Sequence, residues 1–471
     1  MKSFRRFASS TALGASLYLA SMAPAQAQDS GNDAMRAELD RMRAQMNAMA
    51  GRIAELEERL EDEQASAPEH SLPSNAVPAN ASASTSAAVS AESAAARTSA
   101  AAPVATLQRD DGWSFKPFGR LQVDAGSVSA PKGIDEEGLG FSSEIRRVRM
   151  GMKGDAPGGF GYKVEVDFAG LDVQLADAVL TYEDGDLTVS AGHHNTFQGL
   201  EELSSSLHTS FVERAAFTDA FGFERRVGLS AQYTPGPFVL QAGIFTDNVD
   251  DLADDADNSW SVDGRMVFSP RLDNIQLHLG GSFHYREFND SAATIRYRQR
   301  PFIHTTDVRF LDTGSFSATG ETGYGLEGAV IAGAFHMAAE TYWQRVARPG
   351  ALADPNFFGG YIETGLFLTP GDHRGYKGGR FDRVKPAHPV GEGGLGAVQI
   401  NLRYDYLDLD DSGINGGIQN GYEASLIWAL TDFTRLMANY GRMEYDRAPL
   451  PAAGDQSYGV DTFAVRAQVD F

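Results

Sequence analysis

The chain closes on Thr462-Phe463-Ala464-Val465-Arg466-Ala467-Gln468-Val469-Asp470-Phe471. Phe463, Val465, Ala467, Val469 and Phe471 fall on one face of an extended backbone, and Thr462, Arg466, Gln468 and Asp470 fall on the other. A period of two means a strand with one side in an apolar medium and the other in water. The same pattern recurs upstream. Phe160, Tyr162, Val164, Val166 and Phe168 oppose Lys163, Glu165 and Asp167. Ile275, Leu277, Leu279, Phe283 and Tyr285 oppose Gln276, His278, Ser282, His284 and Arg286. A soluble sandwich also alternates, but here the apolar faces are aromatic at their ends and charges recur on the opposite faces. That combination fits lipid outside and a wet lumen inside.

Working outward, runs of roughly ten residues fill the region from Trp113 to the end and predict an all-β fold, an antiparallel transmembrane β-barrel of about 16 strands. Connection lengths give an independent check. Turns near Asp155 to Gly158, Asp184 to Asp186, Pro235 to Pro237 and Thr431 to Asp432 are short. The connections 193–225, 247–258, 288–322, 346–355 and 446–458 are long, as extracellular loops should be. One link breaks the parity: 370–393 is long yet should face the periplasm.

Ahead of the barrel, Lys2, Arg5 and Arg6 precede an apolar run from Ala12 to Ala20 and the triplet Ala25-Gln26-Ala27. This is the layout of a secretory signal peptide over 1–27, and the run is too short for the roughly 20 residues of a spanning helix. Met35, Leu39, Met42, Met46, Met49, Ile53, Leu56 and Leu60 then alternate steps of four and three, which predicts an α-helical coiled coil over 28–64 in the periplasm. The Ala, Ser and Pro-rich stretch over 65–110 cannot bury a core and reads as a disordered linker. The barrel domain takes 111–471.

Composition narrows the function classes. Cys is absent and Gly is high at 50, so a secreted chain without disulfides must find stability elsewhere, as a closed backbone ladder does. A net charge of −23 argues against nucleic acid, which needs a basic face. It does not argue against an anion pore, because permeation responds to charge within about one Debye length, roughly 8 Å. No nucleophile elbow accompanies Ser206 and His208, so no enzyme is expected. His193 and His194 leave a strand on opposite faces with no third ligand nearby, so neither a metal nor any other cofactor is expected.

Several ordered stretches carry a family resemblance. They include Phe118-Gly119-Arg120-Leu121-Gln122-Val123-Asp124, Glu144-Ile145-Arg146-Arg147-Val148-Arg149-Met150-Gly151, Gly199-Leu200-Glu201-Glu202-Leu203-Ser204-Ser205-Ser206, Phe211-Val212-Glu213-Arg214, Thr305-Thr306-Asp307-Val308-Arg309 and Phe381-Asp382-Arg383-Val384-Lys385-Pro386. Together they resemble the phosphate-selective porin O and P family over essentially the whole region from Trp113 onward. The resemblance implies homotrimers of 16-stranded barrels in the outer membrane of a Gram-negative bacterium, among lipid and lipopolysaccharide. It also implies passive diffusion of inorganic phosphate, polyphosphate or another small anion.

Guanidinium groups suit that cargo, since a planar fork binds phosphate at two points and never loses its charge. Arg296, Arg298 and Arg300 recur at every second position and match the family's arginine ladder on a loop folded into the lumen. His304 stands where a further arginine is expected and would make that rung sensitive to pH. Arg146 and Arg147 match the paired arginines of the constriction. Regular strand geometry sends only one of two neighbours into the lumen. Arg147 shares a face with Arg149 and Lys153, so Arg146 needs a bulge, a place beyond the membrane or a subunit interface. Arg120, Arg214 and Arg226 match arginines on the anion path, and structural salt bridges within the wall are the competing reading. Lys377, Arg380, Arg383 and Lys385 supply basic charge in the long periplasmic connection. Glu202 and Leu207 stand where the family commonly has lysines, which predicts weaker selection for phosphate. The alternative is a weakly selective general porin whose stalk tethers the envelope.

Overall fold

Because the apolar residues alternate, each segment from Ser114 onward can hold lipid on one side only if every backbone N–H and C=O finds a neighbouring strand, and closure removes the last free edges. A computed structural model describes residues 106–471 apart from Leu171, 253–257 and Ser291. The signal peptide, the coiled coil and nearly all of the linker lie outside the described residues.

The main sheet has 18 strands, of which Leu107–Gln108 and Arg271–Leu272 are two-residue stubs and 16 form the wall. In chain order the wall strands are β1 (Ser114–Ser129), β2 (Gly140–Ala156), β3 (Phe160–Asp167), β4 (Gln174–Asp184), β5 (Leu187–Asn195), β6 (Arg225–Tyr233), β7 (Phe238–Phe245) and β8 (Trp260–Phe268). They continue as β9 (Ile275–Glu287), β10 (Gly320–Ala332), β11 (Phe335–Ala347), β12 (Asn356–Phe367), β13 (Ala397–Asp411), β14 (Ile414–Ala429), β15 (Thr434–Asp446) and β16 (Tyr458–Asp470). Each pairs antiparallel with its sequence neighbour, and β1 pairs with β16 to close the cylinder. The seam is finished by Phe471, whose N–H donates to the Gly119 carbonyl at 3.1 Å. Its ring lies over Gly119, where a Cβ would sit 2.5 Å from the ring, so glycine is required there.

Exposure follows the predicted alternation. On β1, Leu121 and Val123 are 39% and 41% exposed toward the outside, while the intervening Gln122 and Asp124 are fully buried inside. The 368–396 connection leaves the same end of the barrel as the tight turns 157–159 and 185–186, so the parity break is real. At the opposite end, β13 and β14 are joined by Ser412 and Gly413 alone.

Three connections turn into the barrel: 196–224, 288–319 and 368–396. The first carries two short helices, α1 (Leu200–Leu203) and α2 (Ala216–Ala220). Their apolar side chains do not fill the lumen evenly. Phe217 stacks against Tyr342 and Tyr361 at 6.2 and 6.3 Å, and Gly359 makes room for it. Phe310 stacks on Tyr445 at 5.2 Å. Phe302 adopts φ of 53° and projects toward Gly421 and Gly441. A left-handed non-glycine costs about 1–2 kcal/mol, while burying a Phe contributes about 1.5–3 kcal/mol, so burial decides. All these partners belong to β11–β16. The side toward β2–β7 borders open space.

Candidate functional site

The inward side chains of β1–β4 form the open wall. They border a cavity of about 900 Å³ that also touches β5–β7 and all three inward connections. Strand alternation sends Arg120, Arg149, Lys163, Glu165 and Asp177 into it. Arg146 and Arg147 both line it as well. The register explains how: Gln122 pairs with Arg147 and Val123 with Ile145, leaving Arg146 as the extra residue of a β-bulge. Ile145 is 57% exposed on the outer face and fixes the register on that side.

Most cations on this wall have carboxylate neighbours. Arg120 meets Glu165 at 2.8 Å, and Arg149 meets Asp167 at 2.7 Å. Lys163 meets Glu165 at 2.9 Å and Asp177 at 2.5 Å, and Arg225 meets Asp177 at 2.9 Å. Arg146 faces Glu213 of the 196–224 connection through two contacts at 3.0 and 3.2 Å. Arg147 differs. Its Nη1 donates to Gln122 Oε1 at 2.9 Å, and among the described residues it has no carboxylate in ion-pair contact. Two unit charges 4 Å apart interact by about 4 kcal/mol at an effective dielectric of about 20, so a close carboxylate cancels most of a guanidinium's pull on a passing anion. Arg147 retains its pull.

From the remaining candidates, the structure brings Arg214, Arg300, His304 and Arg380 to the same cavity. Arg214 is largely spent inside its own connection: it donates to the carbonyls of Glu201, Glu202 and Ser204 at 3.0–3.1 Å. Arg300 contacts Asp307 at 2.8 Å, and His304 Nδ1 lies 2.9 Å from Glu144 Oε2. Arg380 reaches the Leu203 carbonyl at 3.5 Å and makes no ion pair among the described residues.

Six candidates lie off the cavity, for separate reasons. Arg296 and Arg298 do share a face with Arg300, since the intervening Tyr297 and Gln299 are buried. Arg300 alone of the three reaches the cavity, while over Arg296 and Arg298 that face turns away along the short ladder of Arg298–Gln299 with Leu311–Asp312, where Asp312 holds Arg296 by a two-point ion pair. Arg226 is buried against Glu224 at 2.8 Å. Arg383 is clasped by Asp470 and the Asp432 carbonyl and sits 5.0 Å over the Phe433 ring. Lys377 and Lys385 are exposed at the turn end. Conversely, Lys163 and Arg225 border the cavity without having been singled out as site residues. For Lys163 the signal was present, since it occupies the wet face of a plainly alternating strand.

Comparison with known proteins places this geometry. A family model described as phosphate-selective porin O and P matches residues 115–471. An uncharacterized protein of Caulobacter vibrioides is 47% identical over 367 residues, covering 76% of this chain and 74% of that protein. Porin O of Pseudomonas aeruginosa is 24% identical over 414 residues, covering 78% of this chain and 90% of that protein. Among solved structures, OmpT of Vibrio cholerae in its trimer form aligns with a TM-score of 0.50 at 11% identity, covering 77% of this chain and all of that one. At that identity the likeness speaks to the barrel fold alone.

Proposed function

Because the chain belongs to the phosphate-selective porin O and P family, it is an outer-membrane porin, a channel rather than an enzyme, and we propose that it passes phosphate-type oxyanions by passive diffusion along the β1–β4 wall. The observation that carries this reading is Arg147: a lumen-facing guanidinium oriented by Gln122, with no carboxylate contact among the described residues. A pore needs donors that replace some of an ion's hydration without trapping it. Two lumen-side arginines without an ion-pair partner among the described residues, Arg147 and Arg380, set among compensated ones meet both demands, giving a few stronger steps in an otherwise shallow field.

The neighbouring ion pairs favour a second reading for the degree of selectivity. Glu165, Asp167 and Asp177 damp the field of Arg120, Arg149, Lys163 and Arg225, so discrimination between phosphate and chloride is modest. We further take the working assembly to be a homotrimer, with a signal peptide removed and a coiled-coil stalk in the periplasm.

Proteoliposomes test the cargo. Efflux of inorganic phosphate should exceed that of an uncharged solute of similar size and of an organic cation. Equal rates for all three would leave a mere hole, and faster cation efflux would overturn the anion reading.

A further inference from the structure

The open lumen is not a uniformly basic one. Among the described residues, its cavity is lined by Arg and Lys side chains and by Asp and Glu side chains in equal number, nine of each. A simple anion gains beside a guanidinium about what it loses beside the next carboxylate, so a balanced lining gives it little net attraction. A solute that carries both signs gains at both, provided that a cation and a carboxylate of the wall are left unpaired at a suitable spacing.

One pair meets that condition. The middle of the 368–396 connection is a short hairpin, Gly375–Lys377 against Arg380–Asp382. Arg380 and Asp382 both border the cavity, and the intervening Phe381 is buried behind them. Arg380 reaches only the Leu203 carbonyl, at 3.5 Å, the outer limit of a hydrogen bond. Asp382 has no Arg or Lys in ion-pair contact among the described residues, and its side chain is 45% exposed. Its one basic neighbour is His208 Nε2 at 3.6 Å. Burial, then Arg435 and Arg383, lowers His208 to about 3, so that ring is neutral at neutral pH and leaves the carboxylate uncompensated. The hairpin itself is fixed. Arg265 Nη2 donates to the Gly379 carbonyl at 2.8 Å, the Phe381 N–H donates to Ser204 Oγ at 3.1 Å, and the Arg374 guanidinium lies 4.5 Å over the Phe381 ring. Groups held in place before binding lose little freedom when a solute arrives.

We propose that the pore takes small zwitterionic phosphates as well as simple oxyanions, with Arg380 meeting the phosphate end and Asp382 the ammonium end. Side chains two apart on an extended backbone leave the same face about 6.5–7 Å apart, a span that suits a phosphate monoester whose amine sits about two or three carbons away. The solute is held and released whole, and no covalent bond changes. This substrate class rests on the anion reading above, because the phosphate end must still be drawn in by the unpaired guanidinium groups.

The test is block of single-channel chloride current, with the full-length protein in planar bilayers, by aminoethyl phosphate and by propyl phosphate, which matches it in size and lacks the ammonium. The amine ester should reach half-block at an about three- to fivefold lower concentration, the scale of a half-exposed ion pair, although it carries less net negative charge. Asp382→Asn should erase that advantage and leave block by propyl phosphate in place. Equal block by the two esters, stronger block by propyl phosphate, no block by either where inorganic phosphate blocks, or an advantage that survives Asp382→Asn overturns the proposal. The wild-type comparison decides by itself should Asp382→Asn fail to assemble. Wild-type current carried by cations would instead overturn the underlying anion reading, whereas anion current blocked alike by inorganic phosphate and both esters would remove only the zwitterionic class.

Discussion

The two sides of this barrel use the same alternation for opposite ends. On β11–β16 the inward face is aromatic and aliphatic or carries buried polar groups, several of them hydrogen-bonded to the inward connections, so three loops pack there as on a core. On β1–β4 the inward face carries a cluster of charges, and stripping water from such charges costs several kcal/mol per ion, so the connections touch this wall along β1, near Arg120, Gln122 and Gly126. The lumen is therefore eccentric. The pore is placed by where apolar residues are missing from the wet face as much as by where arginines are present.

Removing the polar clamp of the packed side should have the largest effect. Arg403 is fully buried between Glu201 of the first inward connection and Glu363 of β12, with Glu423 at 3.5 Å. Arg403→Ala leaves these carboxylates uncompensated and should destabilise the barrel by about 3–5 kcal/mol, read by urea unfolding of tryptophan fluorescence. A change under about 1 kcal/mol would mean that the packed side is not held as described. Phe217→Ala should come close behind at about 3–5 kcal/mol at most, and should raise single-channel conductance as well, because the filler it anchors sits beside the pore. Unaltered conductance would mean that the two sides are mechanically independent.

On the open side the contrast is within one loop. Arg300→Ala should lower anion preference measurably, because Arg300 borders the cavity, whereas Arg296→Ala should leave it within error, because Asp312 already holds that guanidinium away from it. Equal effects of the two would restore a continuous three-step ladder. The smallest effect concerns pH. Burial, then Arg435 and Arg383, lowers His208 to about 3. An unfolded histidine binds its proton near 6.5. The folded state therefore binds fewer protons than the unfolded one between those values, and stability falls as pH drops from about 6.5 toward about 3. His208→Gln should flatten that decline in the thermal midpoint between pH 7 and 5. Glu213 is also shifted down, but there the charged form is the favoured one: its contribution is present above the ordinary carboxylate range and is lost as pH falls below it, so it adds nothing to the slope in that window.

Much of this was legible in the sequence. The terminal alternation from Phe463 to Phe471 gives the wall, the 370–393 segment stands out as a long connection on the side of the short turns, and the spacing of Arg296, Arg298 and Arg300 gives a shared face. What could not be read depends on contacts distant along the chain. The bulge at Arg146 arises from how β1 and β2 register on both sides of it, and alternation alone left it as one option among several. Arg296 and Arg298 look where Asp312 and the short ladder turn them while Arg300 reaches the cavity, which period two cannot say. Arg226, expected on the anion path, and Arg383, expected as free basic charge in the long periplasmic connection, carry the right side chain, yet Glu224 and Asp470 pair with them, and only proximity in space reveals the partner.

The reversal potential across a KCl gradient shows whether Arg147, a guanidinium with no carboxylate in ion-pair contact among the described residues, sets the sign of the current. The wild type should reverse with the sign of an anion channel, and Arg147→Ala should move it toward zero while leaving conductance of the same order. A wild-type potential of cation sign, or an anion potential that Arg147→Ala leaves in place, would contradict it.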